Sequence, residues 1–342
     1  MEDIDLICKL NKEWQPQAIK IKKAGGQTNR NYIVQYKDNK FFVRLPWERT
    51  DIVDRRIEAE NITAVSKCKK LSEITPRCFL YIFKGKNILS PKEKFDPSTS
   101  LRPSTPRFRL EEVNPDLPDG TMIMEYIEGK DIDGKDLENS KIQNALLKAL
   151  HIFHTSGVKF VNIYDVFRDE MAKYKKKAKK YSINKLIAKE RIKEIEEIEK
   201  AAKENLVPSR KISTHNDLIF ENLRLGKNGK VYLLDFEYAG FNVRDGLHYD
   251  LGIILGGNLF QKNPIKIKTF EELLKKAKKI YEKDLDDYKI YYGALTNILV
   301  MFWWGLVKYF SSTAKEEKRY FRKYVLDRIK GIEFLYKIIG KK

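Results

Sequence analysis

Cysteine is scarce in this sequence, and an export signal is missing. The three cysteines, Cys8, Cys68 and Cys78, form no CxxC pair. An odd number of scattered cysteines indicates neither a disulfide framework nor a zinc site. The acidic start of the chain, residues 1–5, lacks the basic and apolar regions of a signal peptide. We therefore expect a cytoplasmic protein.

A long apolar run is lacking as well. The longest one, residues 295–307, is shorter than the ~20 residues of a membrane-spanning helix and contains Asn297. We expect no membrane span. With 342 residues, of which 42% are hydrophobic, the chain has enough apolar surface for two domains or lobes. The sequence leaves a monomer and a homodimer equally open.

Acidic residues are too few to balance the basic ones. The chain has 48 Asp and Glu against 67 Lys and Arg, a formal charge of +19. This charge makes a basic nucleic-acid-binding protein without catalytic activity one hypothesis. The lysines, however, lie in mixed-charge stretches such as 173–180, 189–204 and 275–279, which are typical of solvated helix faces. RNP motifs, GXXG loops and Cys/His fingers are missing, so nucleic-acid binding is the alternative and not the favoured interpretation.

The first third of the chain has the pattern of a β-sheet with one helix. The helix is predicted over residues 51–68, with Asp51 as its N-cap. Gly129 is predicted to close the last strand of this region. The predicted strands are 19–24, 31–36, 41–45, 79–83 and 121–127.

Prolines are concentrated in one segment. Residues 84–120 contain six of the eleven prolines in the chain, which predicts a long irregular insertion. From residue 141 onward the pattern is mainly helical, interrupted only by short strands around residues 212–235. The sequence therefore predicts an α+β fold with a β-rich N-terminal part and a mainly helical C-terminal part.

The most informative segment is Thr214-His215-Asn216-Asp217, with Asn222 five residues after Asp217 and Asp235 at the end of a following apolar run. Asp217 and Asn222 have the spacing of a kinase catalytic loop. Phosphoryl transfer needs a carboxylate that accepts the proton of the attacking hydroxyl, and Asp217 fits this role. Asn222 and Asp235 offer oxygen ligands suited to Mg²⁺. His215 is predicted to orient the loop through hydrogen bonds. Each of these residues alone is equally compatible with an ordinary turn or cap.

Four motifs carry a resemblance to a known family. They are residues 25–32 (GGQTNRNY), residues 55–61 (RRIEAEN), the His215-Asn216-Asp217 loop, and residues 234–240 (LDFEYAG) followed by residues 249–251 (YDL). Together they resemble the choline/ethanolamine kinase family, of the bacterial choline kinase type, within the aminoglycoside-phosphotransferase and protein-kinase-like superfamily. The resemblance implies a bilobal kinase-like fold with a nucleotide-binding lobe over residues 1–123, a hinge over 124–129 and a catalytic lobe over 130–342.

The resemblance also implies ATP and Mg²⁺ as cofactors. Arg44 stands where kinases place a phosphate-binding lysine on the third strand, and Glu58 is its expected helix partner. The glycine-rich loop is expected to approach the phosphates through its backbone, and residues at the hinge are expected to meet the adenine edge. The implied nucleotide-binding residues are Gly26, Thr28, Asn29, Arg44, Glu58, Glu125 and Ile127. A hairpin without a ligand and an exposed Arg44 far from Glu58 are the alternatives.

The acceptor is expected to be a small molecule. Only fourteen residues separate Asp235 from Asp250, too few for the activation segment with which protein kinases dock a peptide. A cationic acceptor such as choline requires aromatic ring faces and a carboxylate. The resemblance implies that Tyr238, Trp304 and Tyr324 bind it, although aromatic residues on a late helix are more often part of a core.

Two positions depart from the family pattern. Val307 stands where many members have a second tryptophan, and Gly257 stands where the family often has a glutamate. The cation site is therefore expected to be built differently. Choline is the first prediction for the acceptor; ethanolamine, another amino alcohol, thiamine, a sugar and an aminoglycoside stay open.

Overall fold

The computed structural model describes residues 3–11, 13–25, 29–46, 54–89, 117–282 and 285–341, with the side chains of 209–211 excepted. Gly26, Thr28, Asp51 and most of the 84–120 insertion lie outside these ranges. The chain divides into two compact units, Met1–Glu128 and Gly129–Lys342. The first is β-rich and the second is mainly helical, as the sequence predicts.

A six-stranded sheet dominates the described part of the first unit, in the order β1-β2-β3-β6-β4-β5. Neighbouring strands pair antiparallel. The predicted strands are confirmed, and residues 86–87, predicted as irregular, instead form a short strand. The strands are β1 (Ile19–Ala24), β2 (Asn29–Tyr36), β3 (Asn39–Pro46), β4 (Cys78–Phe83), β5 (Lys86–Asn87) and β6 (Met122–Glu125).

An N-terminal helix, α1 (Asp3–Lys9), and the segment after it cover one face of this sheet. Ile7 and Trp14 are fully buried there, together with Val34 of β2. The Trp14 ring lies 5.4 Å from that of Phe41. The alternation of buried and half-buried side chains along β2 sets its register, because only one face of the strand joins this core.

The second helix, α2 (Arg55–Lys67), packs against β4. Its N-cap is Asp54, whose carboxylate accepts hydrogen bonds from the N–H groups of Arg56 and Ile57, so the predicted Asp51 cap is wrong. The helix places Glu58, 1% exposed, against Arg44 of β3, 3% exposed. These two buried residues form an ion pair.

The second unit is built around long helices, and several short strands interrupt them. Strands β7, β8 and β12 are absent from the sequence prediction. Gly129, which was predicted to close the strand over residues 121–127, instead begins β7. The strands are β7 (Gly129–Asp131), β8 (Ile163–Tyr164), β9 (Pro208–Thr214), β10 (Leu223–Gly226), β11 (Val231–Leu233) and β12 (Gly240–Arg244). The helices are α3 (Ser140–His154), α4 (Ala172–Ala178), α5 (Lys189–Asn205), α6 (Gly246–Gly256), α7 (Ile267–Tyr281), α8 (Asp287–Ser311) and α9 (Lys315–Ile339).

Helices α6 and α8 form the centre of this unit. A Cβ atom on Gly252 would lie 2.4 Å from the backbone nitrogen of Ala294, and one on Gly256 would lie 2.2 Å from the Ala294 oxygen. The two backbones therefore approach more closely than any side chain allows. Helix α8 has the length and hydropathy of a membrane span, but 83% of its most apolar window is buried within the protein, as in a core helix.

The buried Arg44–Glu58 pair generates a stability prediction. Glu58 also accepts hydrogen bonds from Arg55 and from the Tyr81 hydroxyl, at 2.5 and 2.6 Å. Replacing Glu58 by Ala leaves Arg44 buried without its carboxylate, which should cost about 3–5 kcal/mol of unfolding free energy. Urea denaturation measures this loss. The matched Glu128→Ala variant breaks the exposed pair with Lys40 and should change little; equal losses in both variants would contradict the assignment.

Candidate active site

The loop that carries Asp217 follows β9 directly. Asn216 turns the chain with a positive φ of 65°, a conformation that asparagine tolerates better than most residues. Its side chain is fixed on both sides: its Nδ2 donates to Tyr238 O at 2.9 Å, and Asn242 Nδ2 donates to its Oδ1 at 2.9 Å. Strand β12, which supplies Asn242, pairs with β9. The loop is thus held against the sheet of the second unit.

Asp250 of α6 holds the start of this loop through its backbone. Its fully buried carboxylate accepts hydrogen bonds from the N–H groups of His215 and Asn216, at 2.8 and 2.7 Å. His154 Nε2 lies 3.0 Å from the same carboxylate, and His154 Nδ1 lies 2.8 Å from the Tyr281 hydroxyl. His154 and Asp250 therefore act as positioning residues for the loop.

His215 connects the loop to the end of β11. Its Nε2 lies 2.8 Å from Leu234 O; because a carbonyl oxygen only accepts, Nε2 carries the proton. Burial lowers the pKa of His215, against the opposing effect of Asp250. The neutral imidazole is therefore placed to orient the loop, as the sequence predicts, rather than to transfer protons.

Asp217 and Asn222 lie side by side. Asn222 Nδ2 donates to Asp217 Oδ2 at 2.8 Å and to Asp217 O at 2.9 Å. Loss of hydration raises the pKa of Asp217 to about 7, with the negative charge of Asp235 as the second cause. A carboxylate with this pKa is suited to accept a proton near neutral pH.

Asp235 follows β11 with a positive φ of 59°. The N–H of Leu234 donates to Asn222 O at 2.9 Å, so the two predicted metal ligands lie on adjoining segments. Glu237, which the sequence analysis did not select, places a carboxylate oxygen within 4.8 Å of one of Asp235. Carboxylate and amide oxygens form the donor set that Mg²⁺ prefers. The alternation Asp-x-Glu after the strand is the signal that identifies Glu237.

In the first unit, the predicted nucleotide-binding residues fall into two groups. Asn29 is buried at the start of β2, and its Oδ1 accepts a hydrogen bond from Arg55 at 3.0 Å. Burial alone would raise the pKa of Glu58, but Arg44 and Arg55 outweigh it and hold the pKa below its usual value. The expected Arg44–Glu58 pair is present, and the exposed alternative is wrong.

Glu125 and Ile127 form the second group. Glu125 ends β6, and its N–H donates to Arg77 O at 2.8 Å. Ile127 is buried shortly after it. Both lie at the C-terminal end of the first unit, where the sequence predicts the hinge.

Three aromatic residues are predicted to bind the acceptor, but among the described residues they do not all contact one another. Trp304 and Tyr324 lie together, with ring centroids 5.4 Å apart. Tyr238 instead places its hydroxyl 3.4 Å from that of Tyr174.

The sequence analysis did not select Glu170, a buried carboxylate in the π-helical segment Phe167–Met171 just before α4. No periodicity or motif marks Glu170, because its environment is made by distant elements.

Comparison with known proteins agrees with this geometry. Residues 117–283 match the family model of choline/ethanolamine kinase. Choline kinase LicA from Streptococcus pneumoniae is a similar solved structure, with 18% identity, TM-score 0.66 and 99% of each chain covered. No curated protein matches the chain in sequence.

Two further solved structures are similar. For an ethanolamine kinase from Plasmodium vivax, the identity is 14% and the TM-score 0.62, with 94% of this chain and 82% of that chain covered. For the ADP-bound aminoglycoside phosphotransferase APH(2'')-Ib, the identity is 16% and the TM-score 0.57, with 97% and 99% covered.

The fold is therefore kinase-like, as predicted, and the family match over residues 117–283 supports a kinase-type transferase that acts on a small molecule. The resemblance to the choline/ethanolamine kinases is confirmed.

The Asp250 hydrogen bonds generate a prediction about the loop. In Asp250→Ala, the amides of His215 and Asn216 lose their hydrogen-bond acceptor. Each unsatisfied buried donor costs about 1–3 kcal/mol of folding free energy. Amide hydrogen exchange at these two positions should accelerate more than exchange in α8. The conservative Asp250→Asn variant keeps one acceptor oxygen and should give an intermediate rate. Unchanged exchange in both variants would show that other contacts hold the loop.

Proposed function

We propose that this chain is an ATP- and Mg²⁺-dependent kinase that phosphorylates the hydroxyl of choline, giving phosphocholine and ADP, in the cytoplasm. The observation that carries the proposal is the Asp217–Asn222 contact beside Asp235, in a loop held by Asp250. The family match and the choline kinase among the similar structures support the choice of acceptor.

Asp217 is the proposed base. Asn222 holds its Oδ2, so Oδ1 is the atom proposed to accept the proton of the acceptor hydroxyl. The hydroxyl oxygen then forms its bond to the γ-phosphorus of ATP while the bond to the ADP oxygen breaks. His215, Asn216 and Asp250 keep the base in position and do not touch the reacting atoms.

Asn222 and Asp235 are the residues proposed to hold Mg²⁺, and Glu237 extends this oxygen donor set. A bound Mg²⁺ supplies positive charge to the phosphate oxygens during transfer. The close approach of the Asp235 and Glu237 carboxylates supports a divalent cation here.

ATP is the proposed phosphoryl donor. Arg44, fixed by Glu58, is proposed to contact its phosphates, together with Asn29 and the loop residues Gly26 and Thr28. Glu125 and Ile127 are proposed to meet the adenine base. The ADP-bound aminoglycoside phosphotransferase among the similar structures supports a nucleotide site in this fold.

Ethanolamine is the second candidate acceptor, favoured by the ethanolamine kinase among the similar structures and by Gly257 in place of the glutamate common in the family. A coupled ADP-release assay over choline, ethanolamine, thiamine, methylthioribose, homoserine and aminoglycosides tests the choice. We expect the highest kcat/KM for choline. Absence of acceptor-stimulated ADP release, combined with RNA binding of steep salt dependence, would favour the nucleic-acid alternative.

The role of Asp217 generates the first kinetic prediction. Asp217→Asn should lower kcat by ~10²–10⁴-fold and leave ATP binding nearly intact, because the base acts on the acceptor. Steady-state kinetics and a nucleotide titration measure the two effects. Glu221→Gln is the matched control, since Glu221 lies in the same loop, accepts hydrogen bonds from Gln261 and acts on Asp217 only through its charge. An Asp217→Asn enzyme with more than about a tenth of the wild-type kcat would contradict the assignment.

The metal ligands generate a second kinetic prediction. Asp235→Ala should abolish Mg²⁺-dependent turnover, and Asn222→Ala should raise the Mg²⁺ concentration needed for half-maximal rate. The difference is expected because one ligand is charged and the other neutral. Rates measured over a Mg²⁺ titration test it; an unchanged profile in both variants would remove these residues from the metal site.

A further inference from the structure

Arg55 opens the 55–61 motif, and the proposed phosphoryl-transfer mechanism leaves it without a function. It is the first residue of α2 and follows the N-cap Asp54 directly. Its side chain is only 11% exposed. A buried arginine is rare unless its charge is paired, so the contacts of its guanidinium group indicate why it lies there.

The guanidinium group of Arg55 contacts two residues from different elements. Nη1 donates to Glu58 Oε2 at 2.5 Å, and Nη2 donates to Asn29 Oδ1 at 3.0 Å. Asn29 begins β2 and is 6% exposed. A guanidinium group is suited to this geometry, because its rigid fork of donors reaches two acceptors at once. Arg55 therefore connects the start of β2 with the first turn of α2.

Glu58 divides its two carboxylate oxygens between two arginines. Oε1 accepts a hydrogen bond from Nη2 of Arg44, whereas Oε2 accepts from Arg55 and from the Tyr81 hydroxyl. Arg44 is thus linked to Arg55 through one buried carboxylate, and Arg55 continues the link to Asn29. The two ends of this chain of contacts, Arg44 and Asn29, are the described residues proposed to contact the phosphates of ATP.

Gly120 packs against both arginines. Its carbonyl oxygen accepts hydrogen bonds from Nε and Nη2 of Arg44, both at 3.2 Å. A Cβ atom on Gly120 would lie 2.9 Å from Nε of Arg55 and 3.0 Å from its Cζ. The φ of 91° also favours glycine at this position. The missing side chain of Gly120 therefore leaves the room that the Arg55 guanidinium group occupies.

The hydrogen bond from Arg55 determines how Asn29 is able to bind a phosphate. Because Oδ1 accepts from Arg55, the orientation of the Asn29 amide group is fixed. A phosphate oxygen accepts hydrogen bonds, so the Asn29 side chain donates to it only through Nδ2. Without Arg55, the amide group is no longer held in this orientation, and Oδ1, which repels a phosphate oxygen, competes for the same place.

We propose that Arg55 is a positioning residue that couples Asn29 to the Arg44–Glu58 pair and so arranges Asn29 and Arg44 for the phosphates of ATP. Arg55 acts through Asn29 and Glu58 and does not itself contact the nucleotide. The proposal rests on the proposed function, because it requires ATP as the phosphoryl donor.

The test compares a nucleotide with a nucleoside that has no phosphate. Arg55→Gln removes the bridge, while Glu58 keeps its hydrogen bonds from Arg44 and Tyr81. In calorimetric titrations with Mg²⁺ present, the Kd for ATP should rise roughly ten- to a hundredfold, as for loss of a charged hydrogen bond. The Kd for adenosine should stay near the wild-type value. Equal losses for ATP and adenosine would indicate general damage to the first unit and would overturn the proposal.

Arg55→Lys separates the bridge from the charge. Lysine keeps the positive charge, but its single ammonium group does not reproduce the fork of arginine. We therefore expect Arg55→Lys to weaken ATP binding as well, while adenosine binds as in the wild type. Full ATP affinity in Arg55→Lys would show that charge alone is needed and would contradict the bridging function.

Arg56→Gln is the matched control. Arg56 is the next residue of α2, but its side chain is 61% exposed and lies 3.7 Å from the Glu60 carboxylate. The Kd values for ATP and adenosine should both stay near those of the wild type. A loss of ATP affinity equal to that in Arg55→Gln would show that the positive charge of this region, rather than the bridge, attracts the nucleotide.

A double-mutant cycle tests whether Arg55 acts through Asn29. Asn29→Ala and Arg55→Gln should each weaken ATP binding, and their combined effect should be smaller than the sum of the two, because an absent amide group needs no orientation. Fully additive effects would overturn the proposal.

These titrations contain no acceptor, so the Arg55 proposal and the choice of acceptor fail separately. If the wild type binds ATP and Arg55→Gln loses the expected affinity, the function of Arg55 is supported even if choline is not phosphorylated. If choline is phosphorylated and Arg55→Gln binds ATP as tightly as the wild type, the Arg55 proposal alone is wrong. A wild type that binds no ATP would overturn both.

Discussion

The backbone N–H groups of His215 and Asn216, just after β9, are buried and therefore need a hydrogen-bond acceptor. The buried carboxylate of Asp250 is that acceptor. This constraint decides where the neighbouring Asp217 lies. Asn216 is able to turn the chain at a positive φ because its own amide group is fixed by Tyr238 and Asn242. Asp250 is itself placed by α6, whose position depends on its contact with α8. The position of the Asp217 loop thus depends on α6 and α8, two largely buried helices of the second unit.

Charge is distributed unevenly in the second unit. The surface has many lysines, whereas Glu170 is buried and Asp235 and Glu237 are half-buried. Burial and mutual repulsion raise the pKa of Asp217 and Glu170. This repulsion is unfavourable in the protein alone and is relieved by positively charged ligands. The proposed Mg²⁺ is a ligand that would relieve this repulsion.

Local patterns in the sequence were sufficient to predict the main strands and helices of the fold. Segments rich in β-forming residues between turn signals predicted β1 to β4, and the spacing of Asp217, Asn222 and Asp235 predicted a catalytic loop. The N-cap of α2 was misplaced because Asp51 and Asp54 are equally suitable by residue type, and only the backbone geometry at Asp54 distinguishes them. Strands of two or three residues, such as β8, carry too little periodicity to be detected.

The acceptor-binding residues are the part of the site that local sequence patterns do not fix. The family resemblance implied that Trp304 and Tyr324 bind the acceptor, yet whether a ring face is open depends on neighbours such as Arg328, one turn along α9, and Lys308, one turn along α8. These contacts between cations and rings form only in the folded chain.

The glycine contacts between α6 and α8 also restrict how this part of the protein is able to vary. Because the two backbones touch, a side chain at position 252 or 256 would force the helices apart. Helix α6 carries Asp250, whose carboxylate accepts the hydrogen bonds from the start of the Asp217 loop. A substitution at either glycine would therefore disturb that loop without contacting it.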